Sequence, residues 1–143
     1  MDFTTALVMI VLSSFTLAML TGLLGQKFWQ DGSWHIALSL ALFGLAYACL
    51  CSFTSPLRSI LLGIGYLLFS CAICAITAEL HRFYRYPLRT GWLLLGPLCT
   101  GVLYIFFLDQ PDLRTRCINA LLAVQNLWTM QLILRRGMQQ IGR

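Results

Sequence analysis

The chain has 143 residues, of which 59% are hydrophobic and only 10% charged, with a formal net charge of +5. A soluble domain carries about 25% charged residues, so this composition excludes a soluble enzyme, a disordered tail and a nucleic-acid module with a basic surface. The positive charge must lie in short connections between apolar runs, as in an integral membrane protein.

Five runs approach the roughly 20 apolar residues that a helix needs to cross a hydrocarbon core about 30 Å thick. The first spans residues 3–25 and contains no charge. Only Asp2 precedes it as a charge, so it lacks the basic start of a removable signal peptide and is expected to be a retained helix. Gly25-Gln26-Lys27 closes it, and Asp31-Gly32-Ser33 leads into the second run, residues 34–53. Ser55-Pro56 has the pattern of an N-cap followed by proline at the first helical position, opening the third run, residues 57–80. Tyr86-Pro87 breaks the chain before the fourth run, residues 91–108, where Pro97 is expected to kink the helix. Gln110-Pro111-Asp112 makes the last turn, with Asp112 near the positive end of the dipole of a fifth helix over residues 115–134. No run alternates with period 2 as a barrel strand would. The expected fold is therefore all-α: a polytopic bundle of about five transmembrane helices forming a single domain over residues 1–143.

Orientation follows from the basic residues. Five spans put Arg58, Arg114 and Arg116 on one side, and Lys27, Arg82, Arg85, Arg89, Arg135, Arg136 and Arg143 on the other. The larger set belongs in the cytoplasm, leaving the N-terminus outside and the C-terminus inside. Trp29, Trp34, Tyr84, Tyr86 and Trp92 then gather at the inner interface. The segment from His81 to Arg89 interleaves charge with aromatics. Beside a bilayer this pattern suits anionic lipids at the inner face, with Arg82, Arg85, Arg89, Arg135 and Arg136 as anchors and no nucleic-acid partner.

Polar residues inside apolar runs cost free energy unless paired. Asn119, Gln125, Asn126 and Gln131 crowd the fifth run. Asn119 and Asn126, seven apart, share a face, with Gln125 adjacent; Asn119, Gln125 and Asn126 are the candidate seam or ligand pocket. Asp109, Asp112, Arg114 and Arg116 form a charged turn on the outer side. Glu79 is the one acidic residue within a run and has Arg82 three residues on to neutralise it. Small residues recur every fourth position in Ala18/Gly22, Gly44/Ala48/Ser52 and Ser70/Cys74/Ala78. Such rows let helices approach closely and leave room for a homodimer face.

Six cysteines include Cys49-x-Cys51 and Cys71-x-x-Cys74, both within apolar runs and without a neighbouring histidine, so they are expected to pack rather than bind metal. His35 and His81 fall near the inner interface, not at the depth of a haem ligand. The hydrolase, metalloprotease, P-loop and dinucleotide-binding motifs are missing from the sequence. No catalytic residue, metal or cofactor is expected.

Three stretches resemble the N-terminal membrane region of bacterial membrane-bound diguanylate cyclases, the GGDEF-domain proteins. They are Glu79-Leu80-His81-Arg82-Phe83, then Gln110-Pro111-Asp112-Leu113-Arg114-Thr115-Arg116, and finally Leu134-Arg135-Arg136-Gly137 with Gly142-Arg143. The resemblance implies a sensor and anchor in the bacterial inner membrane, responding to an unidentified small molecule and controlling a cytoplasmic output in cyclic-di-GMP signalling, with dimerisation. The chain departs from that family in having no GGDEF sequence, so by this resemblance it is the sensor and anchor without the cyclase. From the residues alone, two other functions stay open: a small standalone transporter or channel subunit, and an anchor with no ligand.

Overall fold

A computed structural model describes residues 3–24, 33–50, 57–83 and 90–141. Those residues form five helices and no strand: α1 (Phe3–Leu24), α2 (Ser33–Leu50), α3 (Arg58–Phe83), α4 (Thr90–Phe106) and α5 (Pro111–Ile141). Of these, Arg58–Arg82 and Pro111–Leu134 are long and apolar enough to cross a membrane; Val8–Thr21, His35–Leu50 and Leu93–Phe106 are shorter apolar stretches.

The boundaries differ from the expected ones where helix-end chemistry outweighs hydropathy. α3 continues beyond residue 80 because His81 and Arg82 suit the negative end of its dipole. α4 stops at Phe106, and Phe107–Asp109 form a turn in which Gln110 N–H donates to Phe107 O at 3.2 Å. α5 starts four residues earlier than hydropathy suggests. Pro111, expected in the turn, is its first residue, where a missing N–H costs nothing, and Arg114 N–H closes the first turn on Gln110 O at 2.9 Å. At its other end α5 passes Arg135 and Arg136 and reaches Ile141, through residues such as Arg, Met and Gln that favour helix. Ser33 of the Asp31-Gly32-Ser33 boundary opens α2, while Asp31, Gly32, Ser55-Pro56, Gly25-Gln26-Lys27 and Tyr86-Pro87 lie outside the described residues.

Sequential helices run antiparallel. α3 is central and contacts α2, α4 and α5, whereas α1 contacts α2 alone among the described residues. Phe15 of α1 covers Gly44 of α2, where an added Cβ would lie 3.1 Å from the ring. Across α2 and α3, Phe69 makes edge-to-face contacts with Phe43 (centroids 4.9 Å apart) and Tyr47 (5.7 Å). Gly65 of α3 lets the backbone approach Ala46 O. Ile73 of α3 and Ile118 and Leu122 of α5 form the buried centre, flanked by Tyr66, Leu103 and Tyr104.

Polarity is distributed in an unusual way. Ser39, Ser70, Thr77, Glu79, His81, Thr100 and Arg114 are buried. Meanwhile Leu98, Val102 and Ile105 along α4, and Val124 and Leu127 along α5, are more than 60% exposed.

Candidate functional site

Three polar groups of α3 lie on one stripe. Ser70, Cys74 and Thr77 follow the i, i+4, i+7 spacing of a helix face, which here is turned towards both α4 and α5. Ser70 Oγ lies 3.1 Å from both Oε1 and Nε2 of Gln125, so its hydroxyl donates to the amide oxygen and accepts from the amide nitrogen. Seven residues along α3, the hydroxyls of Thr77 and Thr129 are 2.8 Å apart, with Ile73 O and Gln125 O as further acceptors. Two hydroxyl protons therefore serve three contacts, and the Thr77–Thr129 bond can run in either direction.

α4 enters this seam through Gly96. A Cβ there would lie 1.6 Å from Gln125 Nε2, so only glycine allows the Gln125 amide to reach Ser70. Thr100 donates to Gly96 O at 2.9 Å, and the Cys74 thiol donates to Leu93 O at 3.0 Å. The seam thus joins three helices through satisfied hydrogen bonds.

The candidate residues on α5 divide accordingly. Gln125 turns inward, whereas Asn119 and Asn126 are exposed on the outer side of the helix, as is Gln131. Among the described residues Asn126 donates only to Leu122 O of its own helix, at 3.0 Å. The inward face of α5 is Arg114, Ile118, Leu122, Gln125 and Thr129, and Asn126 sits about 100° away from Gln125 at 3.6 residues per turn. The expected seam of Asn119, Gln125 and Asn126 is replaced by Gln125 with Ser70, Thr77 and Thr129. Sequence patterning came close to these residues: Ser70 and Cys74 already stood in a small-residue row, and Thr77 lies seven positions after Ser70.

At the end of the bundle where α4 meets α5, the charged turn separates by exposure. Asp109, Asp112 and Arg116 are exposed, and Arg114 is only 7% exposed. The Arg114 guanidinium carbon stands 4.5 Å from the Tyr104 ring centroid. That ring is held in turn by α3: Tyr104 hydroxyl donates to Ser59 O and lies 3.2 Å from Ser59 Oγ. Gly63 gives the ring its space, since a Cβ there would be 2.9 Å from it. No motif in the sequence singled out Tyr104 or Ser59, because their pairing spans 45 residues.

At the opposite end, Glu79 Oε2 lies 3.0 Å from His35 Nδ1, at ion-pair distance but without the alignment of a hydrogen bond. Arg82 Nη1 is 3.4 Å from both ring nitrogens of His35. The expected Glu79–Arg82 neutralisation along α3 therefore gives way to a three-residue cluster in which both side chains reach across to the start of α2. Arg82 is exposed; Arg85 and Arg89 lie outside the described residues, and Arg135 and Arg136 have helical backbone but no described side chains.

Cys49, Cys71, Cys74, Cys99 and Cys117 are free thiols. Among the described residues no group of three or more His, Cys, Asp or Glu side chains is placed to hold a metal. Comparison with known proteins finds no match to a family model, a curated protein or a solved structure.

Proposed function

We propose that the chain is a five-span module of the bacterial inner membrane, N-terminus outside and C-terminus cytoplasmic, acting as sensor and anchor for a C-terminal output. A diguanylate cyclase domain is the output we propose, on the resemblance of its charged turns to that family. Support for the membrane setting comes from the polarity: aliphatic faces on α4 and α5 are exposed, while hydroxyl, carboxyl, imidazole and guanidinium groups are buried. A soluble monomer rarely leaves so much contiguous apolar surface in water.

The observation that carries the sensing role is the continuity of α5. Its 31 residues form one helix about 46 Å long, half as long again as a hydrocarbon core about 30 Å thick. One end carries the buried Arg114; the other extends beyond the last apolar turn at Leu134. A rotation or shift of the outer end is therefore transmitted as a rigid displacement of the inner end. Signalling needs two such arrangements of α5 and a ligand that binds them with different affinity.

The test is a fusion of the chain, through Arg143, to a diguanylate cyclase domain, with one to four alanines inserted after Leu134. Cyclic-di-GMP output should vary with insertion length and recover near one full turn, about 3.6 residues. Output independent of insertion length overturns the coupling, and a periplasmic reporter signal from the C-terminus overturns the orientation.

A further inference from the structure

Arg114 is a buried charge without an ion-pair partner among the described residues. It is 93% buried, and its Nε has no hydrogen-bond acceptor. Asp109 and Asp112, on the same turn, are exposed, and among the described residues no carboxylate comes within ion-pair distance of it. Buried cations are ordinarily matched by an anion or by several carbonyl acceptors. Here the guanidinium carbon stands over the Tyr104 ring, and that ring is itself held by Ser59. The residue stands in the first turn and a half of α5, where the helix dipole also favours an anion.

We infer that Arg114, with Tyr104 behind it, forms an oxyanion site for a phosphate group at the outer end of the α4–α5 hairpin. A planar guanidinium presents two parallel N–H donors that match two oxygens of a phosphate. Either the phosphodiester of an outer-leaflet lipid or dissolved phosphate supplies those oxygens. The assignment to the outer boundary rests on the five-span orientation proposed above; the match of Arg114 to phosphate does not.

The experiment uses the full chain in phosphate-free maltoside detergent. Its thermal midpoint is titrated with sodium phosphate against sodium chloride at equal ionic strength, and with phosphatidylglycerol against phosphate-free diacylglycerol in mixed micelles. The wild-type midpoint should rise saturably in at least one arm. A response to phosphate identifies a dissolved anion, and a response to phosphatidylglycerol alone identifies the lipid head group. R114Q should abolish the response, and R114K, which keeps the charge but loses the fork, should weaken it by about tenfold or more. R116Q should titrate as wild type. No response in either arm, or a wild-type titration by R114Q, overturns the site. If R114Q does not fold, R114K decides: an unchanged titration overturns the proposal. A cytoplasmic location for Arg114 by cysteine labelling would remove the outer orientation while leaving phosphate binding intact, so the two readings fail separately.

Discussion

Gln125 lies so close over Gly96 that a β-carbon on the glycine would sit 1.6 Å from the amide nitrogen. The contact matters because the same amide is hydrogen-bonded at 3.1 Å to Ser70 of a third helix. One missing side-chain atom on α4 thus permits a bond between α3 and α5.

For Gly96→Ala, two effects oppose each other. Alanine in a helix interior gains about 0.8–1 kcal/mol over glycine. Against it stand a lost interhelical bond, about 0.6 kcal/mol on average and up to about 1.7, and overpacking of about 1–3 kcal/mol. The clash is too close for the amide to stay, so net destabilisation of about 1–2 kcal/mol is expected. In a Gln125→Ala background the obstruction is gone, and G96A should become neutral or stabilising. Unfolding midpoints of the four proteins in mixed micelles measure this reversal; G96A destabilising by the same amount in both backgrounds would refute it.

Cys74 bonds the carbonyl that Pro97 leaves without a donor. In an uninterrupted helix Leu93 O would accept from the N–H of residue 97, which proline lacks. The thiol takes that place at 3.0 Å. Cys74→Ala should cost about 0.5–1 kcal/mol with Pro97 present and much less with Pro97→Ala. A double-mutant cycle showing no coupling between positions 74 and 97 would exclude this compensation.

The division of the α5 amides predicts a contrast between neighbours. Gln125→Leu should destabilise the bundle by about 1–2 kcal/mol, because it removes the bonds to Ser70 and leaves that buried hydroxyl without them. Asn126→Leu and Asn119→Leu, on the exposed face, should stay within about 0.5 kcal/mol of wild type. Equal losses at 125 and 126 would place the seam on the other face.

His35 and Glu79 should be coupled. Glu79 is 7% exposed, so removing His35 alone strands a buried carboxylate, and Glu79→Leu alone strands a partly exposed imidazole. Each single change should cost about 1 kcal/mol, moderated by the solvent around His35. The double change H35L/E79L should recover most of that loss. Additive losses in the cycle would show that the 3.0 Å approach carries no interaction energy.

Much of the architecture was readable from residue order. Five apolar runs separated by glycine, proline and charge correspond to five helices, because hydropathy and breakers act locally along the chain. The ends were less legible. Pro111 reads as a turn breaker or as a first helical residue with equal ease, and the polar Arg135–Ile141 stretch continues a helix that hydropathy alone would end.

Sequence by itself determined the helix count, the punctuation and the presence of polar residues on α5. Only the tertiary structure decided which of them matter to the bundle. Helical periodicity states which residues share a face, but a face acquires meaning from what stands opposite. Gln125 and Asn126 are adjacent in sequence, yet Ser70 and Gly96 lie before one, whereas among the described residues the other bonds only Leu122 O of its own helix. The burial of Arg114 follows the same rule: Tyr104 of α4 reaches it and is itself held by Ser59 of α3, and pairing over such separations leaves no local mark in the chain.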